Sequence, residues 1–293
     1  MGDFPSSRLT IELVSPLLER AVAGPSLQAM QIAEALDRIT RALPMAERPG
    51  GVDTVKLGSV DRDLTGVAVS FMATYAVLEG CRDRGLNLVV THEPTAWNHL
   101  DETDWLGDDP VWAAKRRLIE GAGLGVFRLH DRLHRGGWPD DIAVGVVEAL
   151  GWTGHVVAET RNLVRLPALS LRDVVAHCRA RLGGSALRCV GDPDQVIRGV
   201  ALMPGASGGR RQIQALQSDE VDLVICGESP EWETCEYARD ACASGRPKAY
   251  LALGHANSEE VGMVALAQRI ATWIPEARVE AIPDEELARL LRE

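Results

Sequence analysis

Short apolar runs without polar alternation recur along this 293-residue chain, and segments of helical period separate them. Leu88-Val89-Val90 and Leu223-Val224-Ile225 are the clearest. A strand with one wet face alternates apolar and polar residues, whereas a strand that is apolar throughout needs cover on both sides. Helices interleaved with such strands give that cover, so the pattern predicts an α/β fold built in layers around parallel strands. A chain of this length buries a large core and is expected to split into two domains. In open sheets of this kind ligands gather where strands end.

The expected elements follow from periodicity and punctuation. Residues 26–43 carry Met30, Ala33, Ile39 and Leu43 at helical spacing, with Ser26 as N-cap. Strands are expected at 67–71, 86–91, 125–129, 156–166, 187–190, 196–203, 221–226, 248–253 and 278–282. Helices are expected at 74–84, 110–122, 139–150, 171–182 (N-cap Ser170), 210–218, 231–243, 257–273 and 284–292. Residues 92–108 read as a long polar loop. There is no clear internal repeat, although Val67–Glu93 and Val200–Glu228 share a loose strand, turn, helix, strand and acidic-loop theme.

Three motifs at expected strand ends concentrate the chemistry: Thr91-His92-Glu93-Pro94, Leu129-His130-Asp131-Arg132-Leu133-His134 and Gly254-His255-Ala256-Asn257-Ser258-Glu259. They hold four of the seven histidines, each beside or near a carboxylate. Neutral imidazole nitrogen with anionic oxygen suits a borderline divalent ion. Pro94 bars a helix and keeps Glu93 extended, so His92 and Glu93 project to opposite sides. His130 and His134 share a face if helical and reach more freely if not. Asp131 is either a ligand or a group that orients a histidine from behind. Gly254 permits a sharp turn, Asn257 or Ser258 caps the following helix, and His255 and Glu259 then face one point near its start.

Each motif has a plainer reading. His92-Glu93 alone fits a solvated loop, and Arg128, Arg132 and Arg135 fit a basic surface turn around His130. Glu259 alone fits an ordinary acid in the first turn of a helix. The turn Met203-Pro204-Gly205-Ala206-Ser207-Gly208-Gly209-Arg210 could cradle an anion but reads more simply as a tight turn. Glu228, at the end of 221–226, is a ligand, a general base or a helix acid. His99 and Asp101 lie within reach of the first motif. His155 and His177 have no acidic partners nearby and read as structural, and the tryptophans from Trp97 to Trp152 read as core and interface. No G-x-S-x-G and no Cys–His signature supports a nucleophile triad.

The net charge of −11 opposes a broad contact with a phosphate backbone, so no nucleic-acid partner is expected. The six cysteines form no C-x-x-C pair. Neither a signal peptide nor a membrane span is evident, which leads to the expectation of a cytoplasmic protein with reduced thiols and no membrane partner.

The motifs, in this order, resemble the NGG-interacting-factor-three-like family, also called GTP cyclohydrolase I type 2-like proteins. The resemblance rests on Asn87–Pro94, Arg128–Asp131 and Leu253–Glu259, with Val200–Glu228 in support, and it covers most of residues 50–275. It implies a two-domain α/β protomer that assembles as a toroidal homo-hexamer, with a dinuclear metal site between the domains. The family pattern has consecutive histidines, an Asp four residues after a later His, and a terminal His and Glu. Carried over, it falls on His92, Glu93, His134, His255 and Glu259. Two positions depart from it: Glu93 stands at the second histidine and His134 at the aspartate. An imidazole bridges two metals poorly, and Asp131 could restore a carboxylate.

Together these readings give two interlinked α/β/α-layered domains, residues 1–129 plus 255–293 and residues 130–254. The metal site is expected at strand ends between them. The expected metal-ligating residues are His92, Glu93, His130, Asp131, His134, His255 and Glu259, holding one or two ions of Zn, Mn, Fe, Co or Ni per chain. The expected function is hydrolysis of a small molecule, phosphorylated or nucleotide-like, with Glu93 or Glu228 moving the proton. The alternative is a non-catalytic metal-binding scaffold or regulatory protein.

Overall fold

The computed structural model describes residues 29–45, 50–135, 140–158, 160, 162–183 and 187–284. Ser26 and the helix expected at 284–292 fall outside them, Asp284 excepted. The described chain begins with helix α1 (Ile32–Ala42) and edge strand β1 (Val55–Gly58). Then come β2 (Val67–Ser70), α2 (Tyr75–Arg84), β3 (Leu88–Thr91), α3 (Pro110–Gly121), β4 (Gly125–Arg128) and α4 (Asp141–Leu150). The second half runs β5 (Leu163–Ser170), α5 (Leu171–Leu182), β6 (Arg188–Val190), β7 (Val196–Met203), α6 (Gly209–Leu216) and β8 (Leu223–Cys226). It ends with α7 (Glu236–Ala243), β9 (Ala249–Ala252), α8 (His255–Trp273) and β10 (Val279–Ala281).

The strands form two five-stranded sheets, ordered β1-β4-β3-β2-β10 and β5-β7-β8-β9-β6. The central strands of both are parallel, and antiparallel strands lie at the edges: β1 on β4 in the first sheet, β5 on β7 and β6 on β9 in the second. β2, β3, β4 and β8 are buried along their whole length, as unalternating apolar runs require. The α/β class read from the sequence is the observed one.

The two sheets meet through α4 and α8. Ile142 of α4 and Met263, Leu266 and Ile270 of α8 pack with the first sheet. Val146, Val147 and Leu150 of α4 pack with the second. The helices cross at Gly145 and Gly262, where a Cβ on Gly145 would come 2.7 Å from the Gly262 Cα. Backbones this close leave no room for any side chain.

The loose theme shared by the halves has a structural counterpart at the strand ends. In the first sheet the amides of His92 and Glu93 both donate to Phe71 O, and Leu129 N donates to Thr91 O. In the second the amides of Gly227 and Glu228 both donate to Gly205 O, and Leu253 N donates to Cys226 O. The same turn thus delivers His92-Glu93 in one sheet and Gly227-Glu228 in the other.

Some expectations need correction. The strand expected at 156–166 doubles back: Val156 bridges Val164, and β5 runs on to Ser170 past Pro167. β5 is an edge strand, with an irregular register between Arg165 and Leu169, and there a proline is tolerated. The helix expected at 231–243 is broken at Glu233, whose φ of −100° and ψ of −111° are not helical. α8 starts at His255 with Gly254 as its N-cap, and neither Asn257 nor Ser258 caps it. The Ser258 hydroxyl instead accepts from Gly205 N and donates to His255 O, and Asn257 Nδ2 donates to Leu253 O.

Candidate metal centre

Four imidazoles and two carboxylates converge where β3, β4 and α8 begin or end. His92 and Glu93 follow β3, and Pro94 turns the chain away behind them. His130 follows β4, on a loop whose three successive amides, of His130, Asp131 and Arg132, donate to the carboxylate of Asp53 at 2.7, 2.8 and 3.0 Å. His134 sits in a short 3-10 turn, Leu133–Arg135, so its approach to His130 uses the freedom of a loop rather than one helix face. His255 opens α8, and Glu259 lies one helical turn on, at i+4 on the same face.

All four rings face inward through Nε2. His92 Nε2 lies 3.2 Å from His134 Nε2 and 3.4 Å from Glu259 Oε2. His255 Nε2 lies 3.3 Å from the same Glu259 oxygen and 3.4 Å from Glu93 Oε1. His130 Nε2 lies 3.7 Å from Glu93 Oε1. Each outer Nδ1 has its own partner: Leu129 O for His92 at 3.2 Å, Asp131 for His130 at 3.1 Å, Asp140 for His134 at 3.0 Å and Glu228 for His255 at 3.1 Å. An Nδ1–H donated outward leaves the Nε2 lone pair facing in, the tautomer a metal ligand needs.

The donors fit a divalent ion. Two ligands about 2.0–2.1 Å from a tetrahedral ion stand about 3.3–3.4 Å apart, which four of the five separations above match to within 0.1–0.2 Å, the His130–Glu93 pair being longer at 3.7 Å. Glu259 Oε2 is buried and accepts no hydrogen bond. Burying a carboxylate oxygen costs free energy unless a cation or donor reaches it; in metal-free protein the protonated His255 ring, 3.3 Å away, offsets that cost, and a bound ion would take the proton's place. The groups His92, His130, His134 and His92, Glu93, Glu259 each bring three donor atoms within 4.8 Å of one another. Gly205, from the glycine-rich turn, closes the wall: its φ is +67°, and a Cβ there would overlap Glu259 Oε1 and lie 3.2 Å from His255 Nε2.

Charge in the cluster is finely opposed. Burial, together with the neighbouring His130 and His134, holds His92 well below its ordinary pKa and keeps it neutral. Burial and His134 also lower His130. For His255 burial opposes the charge, but Glu259 and Glu93 outweigh it and push the imidazole up to about 10. His134 is likewise raised, by Asp140 against burial. Burial works against the ionised form of Glu93 too, yet His255, His130 and Arg128 bring its pKa below the usual value.

Asp131 and Glu228, both weighed as ligands, stand behind His130 and His255 on the Nδ1 side. His99 reaches the rim, its ring 5.9 Å from His130. His177 is bound to Leu150 O and stacked on Trp152, away from the cluster. Arg128, which the basic-turn reading puts on the surface, is fully buried. Three contributors escaped the sequence reading: Asp53, Asp140 and Arg128. Asp140 carried one usable signal, an Asp at the start of an expected helix, where it caps the amides of Ile142 and Ala143 through its other oxygen.

Among the described residues no helix is long and apolar enough to cross a membrane. Comparison with known proteins identifies the fold and the family. A curated relative, the GTP cyclohydrolase 1 type 2 homolog of Clostridium perfringens, is 21% identical over 254 residues, spanning 80% of this chain and 89% of the relative. Among solved structures, a Bacillus cereus protein related to NIF3 superposes with a TM-score of 0.71 at 13% identity, covering 88% of this chain and 98% of that one. A hypothetical protein of Staphylococcus aureus gives 0.68 at 15% identity, covering 88% and 97%. The sequence profile of one family matches residues 30–285, and the chain belongs to it: the DUF34/NIF3 (NGG1p interacting factor 3) family.

Proposed function

We propose that this protein is a divalent-metal-dependent hydrolase of a small, phosphorylated or nucleotide-like molecule. One observation carries the reading: of four Nε2 atoms, each fixed by an outer Nδ1 contact, those of His92, His130 and His255 face Glu259 or Glu93 at 3.3–3.7 Å, and that of His134 lies 3.2 Å from His92 Nε2. The residues that would hold metal are His92, Glu93, His130, His134, His255 and Glu259. Nitrogen and oxygen donors of this kind suit Zn, Mn, Fe, Co or Ni. The two three-donor groups share His92, which leaves room for one ion or an unequal pair.

A bound divalent ion would supply Lewis acidity, making a water molecule acidic near neutral pH. The chain supplies the rest. Glu228 is the most exposed of the nearby carboxylates, at 59% against 13% for Glu93, and its contact with His255 Nδ1 supports a part in exchanging a proton with solvent. Glu93 Oε1, between His130 and His255, is the second candidate for that proton. The name of the Clostridium perfringens relative supports including a purine nucleotide among the substrates tried. A homo-oligomer, the hexamer of the resemblance, enters as part of this proposal, with light scattering as its test.

The experiment is a hydrolysis screen of phosphoesters, cyclic amides and nucleotides with metal-loaded protein against the same protein in chelator. Turnover that depends on metal and falls in Glu228→Ala supports the reading. Six protein donors packed this closely favour a second reading, a ligand-saturated and non-catalytic metal site. Metal binding without turnover of any substrate would favour that one.

A further inference from the structure

Glutamate differs from histidine as a ligand in one respect that matters for Glu93. An imidazole held at Nδ1 presents a single nitrogen on a rigid ring. A carboxylate presents two oxygens on a rotatable stem, binds through one or both, and loses rotamer freedom when fixed. Something in the chain must choose between those modes.

The structure points to Arg128. Its side chain is fully buried at the end of β4, and each nitrogen of the guanidinium has a partner. Nε donates to His92 O at 2.9 Å, and Nη1 donates to His99 O at 2.5 Å. Nη2 donates to Glu93 Oε2 at 3.3 Å, and Nη1 also lies 3.5 Å from Asp101 Oδ2. Asp101 is anchored in turn. Its Oδ1 accepts from Thr95 N and Ala96 N, and its Oδ2 lies 3.4 Å from Lys56 Nζ. Lys56 and Asp101 are themselves almost wholly buried, at 9% and 6% exposed. Two cations and two carboxylates therefore form a dry line from edge strand β1 to Glu93. A planar guanidinium with several acceptors in fixed directions has little freedom to move.

The consequence falls on Glu93. Oε2 is taken by Arg128, and only Oε1 faces Nε2 of His130 and His255. We propose that Arg128 is a positioning residue of the metal centre, holding Glu93 so that it offers a single oxygen. The proposal rests on the metal reading above, and it goes further by assigning the denticity of one ligand to a residue that itself touches no metal. Removing the guanidinium frees Oε2, so the carboxylate can swing and chelate.

Cobalt(II) titration of tag-free protein tests this, because visible absorption per cobalt falls as coordination number rises. Wild type, Arg128→Gln, Arg128→Lys, Glu93→Gln and the double variant E93Q/R128Q are compared, with circular dichroism as the check on fold. R128Q should bind cobalt about 10–100-fold more weakly, the usual effect of losing a residue that orients a ligand. Its absorption per bound cobalt should also fall, and R128K should restore part of both. In the E93Q background R128Q should change neither. Wild-type affinity and spectrum in a folded R128Q or R128K overturn the proposal, as does an equal loss in the E93Q background. If both Arg128 variants unfold while E93Q stays folded, the guanidinium serves the fold alone and the proposal fails. No cobalt uptake by wild type overturns the metal reading and this inference together.

Discussion

Gly205 and Gly85 provide a controlled measurement of how tightly the site wall is built. Both have φ of +67°. A Cβ on Gly85 would meet nothing within 4 Å, whereas one on Gly205 would overlap the carboxylate of Glu259. Gly85→Ala therefore carries only the left-handed backbone penalty, about 1–2 kcal/mol. Gly205→Ala carries that penalty plus forced displacement of a buried side chain, a further ~1–3 kcal/mol. Glu259 is held between Gly205 on one side and His92 and His255 on the other, so the displacement falls on the metal donors. The assay is urea unfolding of both variants in chelator, with metal bound per chain measured after reconstitution. G85A should lose the smaller amount and keep wild-type metal content, while G205A should lose more stability and most of its metal. Equal stability and equal metal content in the two variants would refute the claim that Gly205 is required by contact with Glu259.

Other outcomes follow from the same geometry. Gly145→Ala should cost about 1–3 kcal/mol, because the α4 and α8 backbones touch there, and should leave metal content unchanged. Urea unfolding and metal analysis check it. Glu228→Ala should weaken metal binding by about 10–100-fold at little cost in stability, since Glu228 is exposed and reaches the site only through His255 Nδ1. Competition titration with a chromophoric chelator reads it. The pH dependence has a definite sign. Folding raises the His255 pKa to about 10 against an unfolded value of about 6.5, so this group's stabilisation of metal-free protein is complete below pH 6.5 and lost as pH rises toward 10. The slope is at most about 1.4 kcal/mol per pH unit. It is best read between pH 6.5 and 8, before Lys115, which burial lowers to about 8, begins to contribute. Metal affinity should rise over the same interval, because binding displaces that proton. Flat stability together with pH-independent affinity would contradict the assignment.

The sequence made some features legible and hid others for physical reasons. Strands buried on both faces announce themselves by unbroken apolar runs, which is why β2, β3 and β8 could be placed within a residue or two. Histidines at the ends of such runs were visible for the same reason. β1, with Val55 and Gly58 exposed and Lys56 between them, has no such signature. Arg128 looked like a surface charge because its partners, Glu93, His99 and Asp101, lie 27 to 35 residues away in sequence. Asp53 supports the His130 loop from 77 residues upstream. Periodicity cannot report contacts of that kind. The doubling back at Val156 and the break at Glu233 interrupt runs whose composition alone suits regular structure, since the competing pairings are tertiary. The family resemblance falls on five positions, His92, Glu93, His134, His255 and Glu259, and the structure brings all five side chains within hydrogen-bonding or ion-pair range of another member of the cluster.

The central claim is that these side chains hold a divalent ion. The most direct measurement is metal content per chain, by elemental analysis, on protein purified without a His tag and reconstituted with Zn, Mn and Fe, alongside His255→Ala. One or two equivalents of a transition metal in wild type, lost in a variant that remains folded, is the predicted result. No stoichiometric metal in wild type after reconstitution would contradict the account.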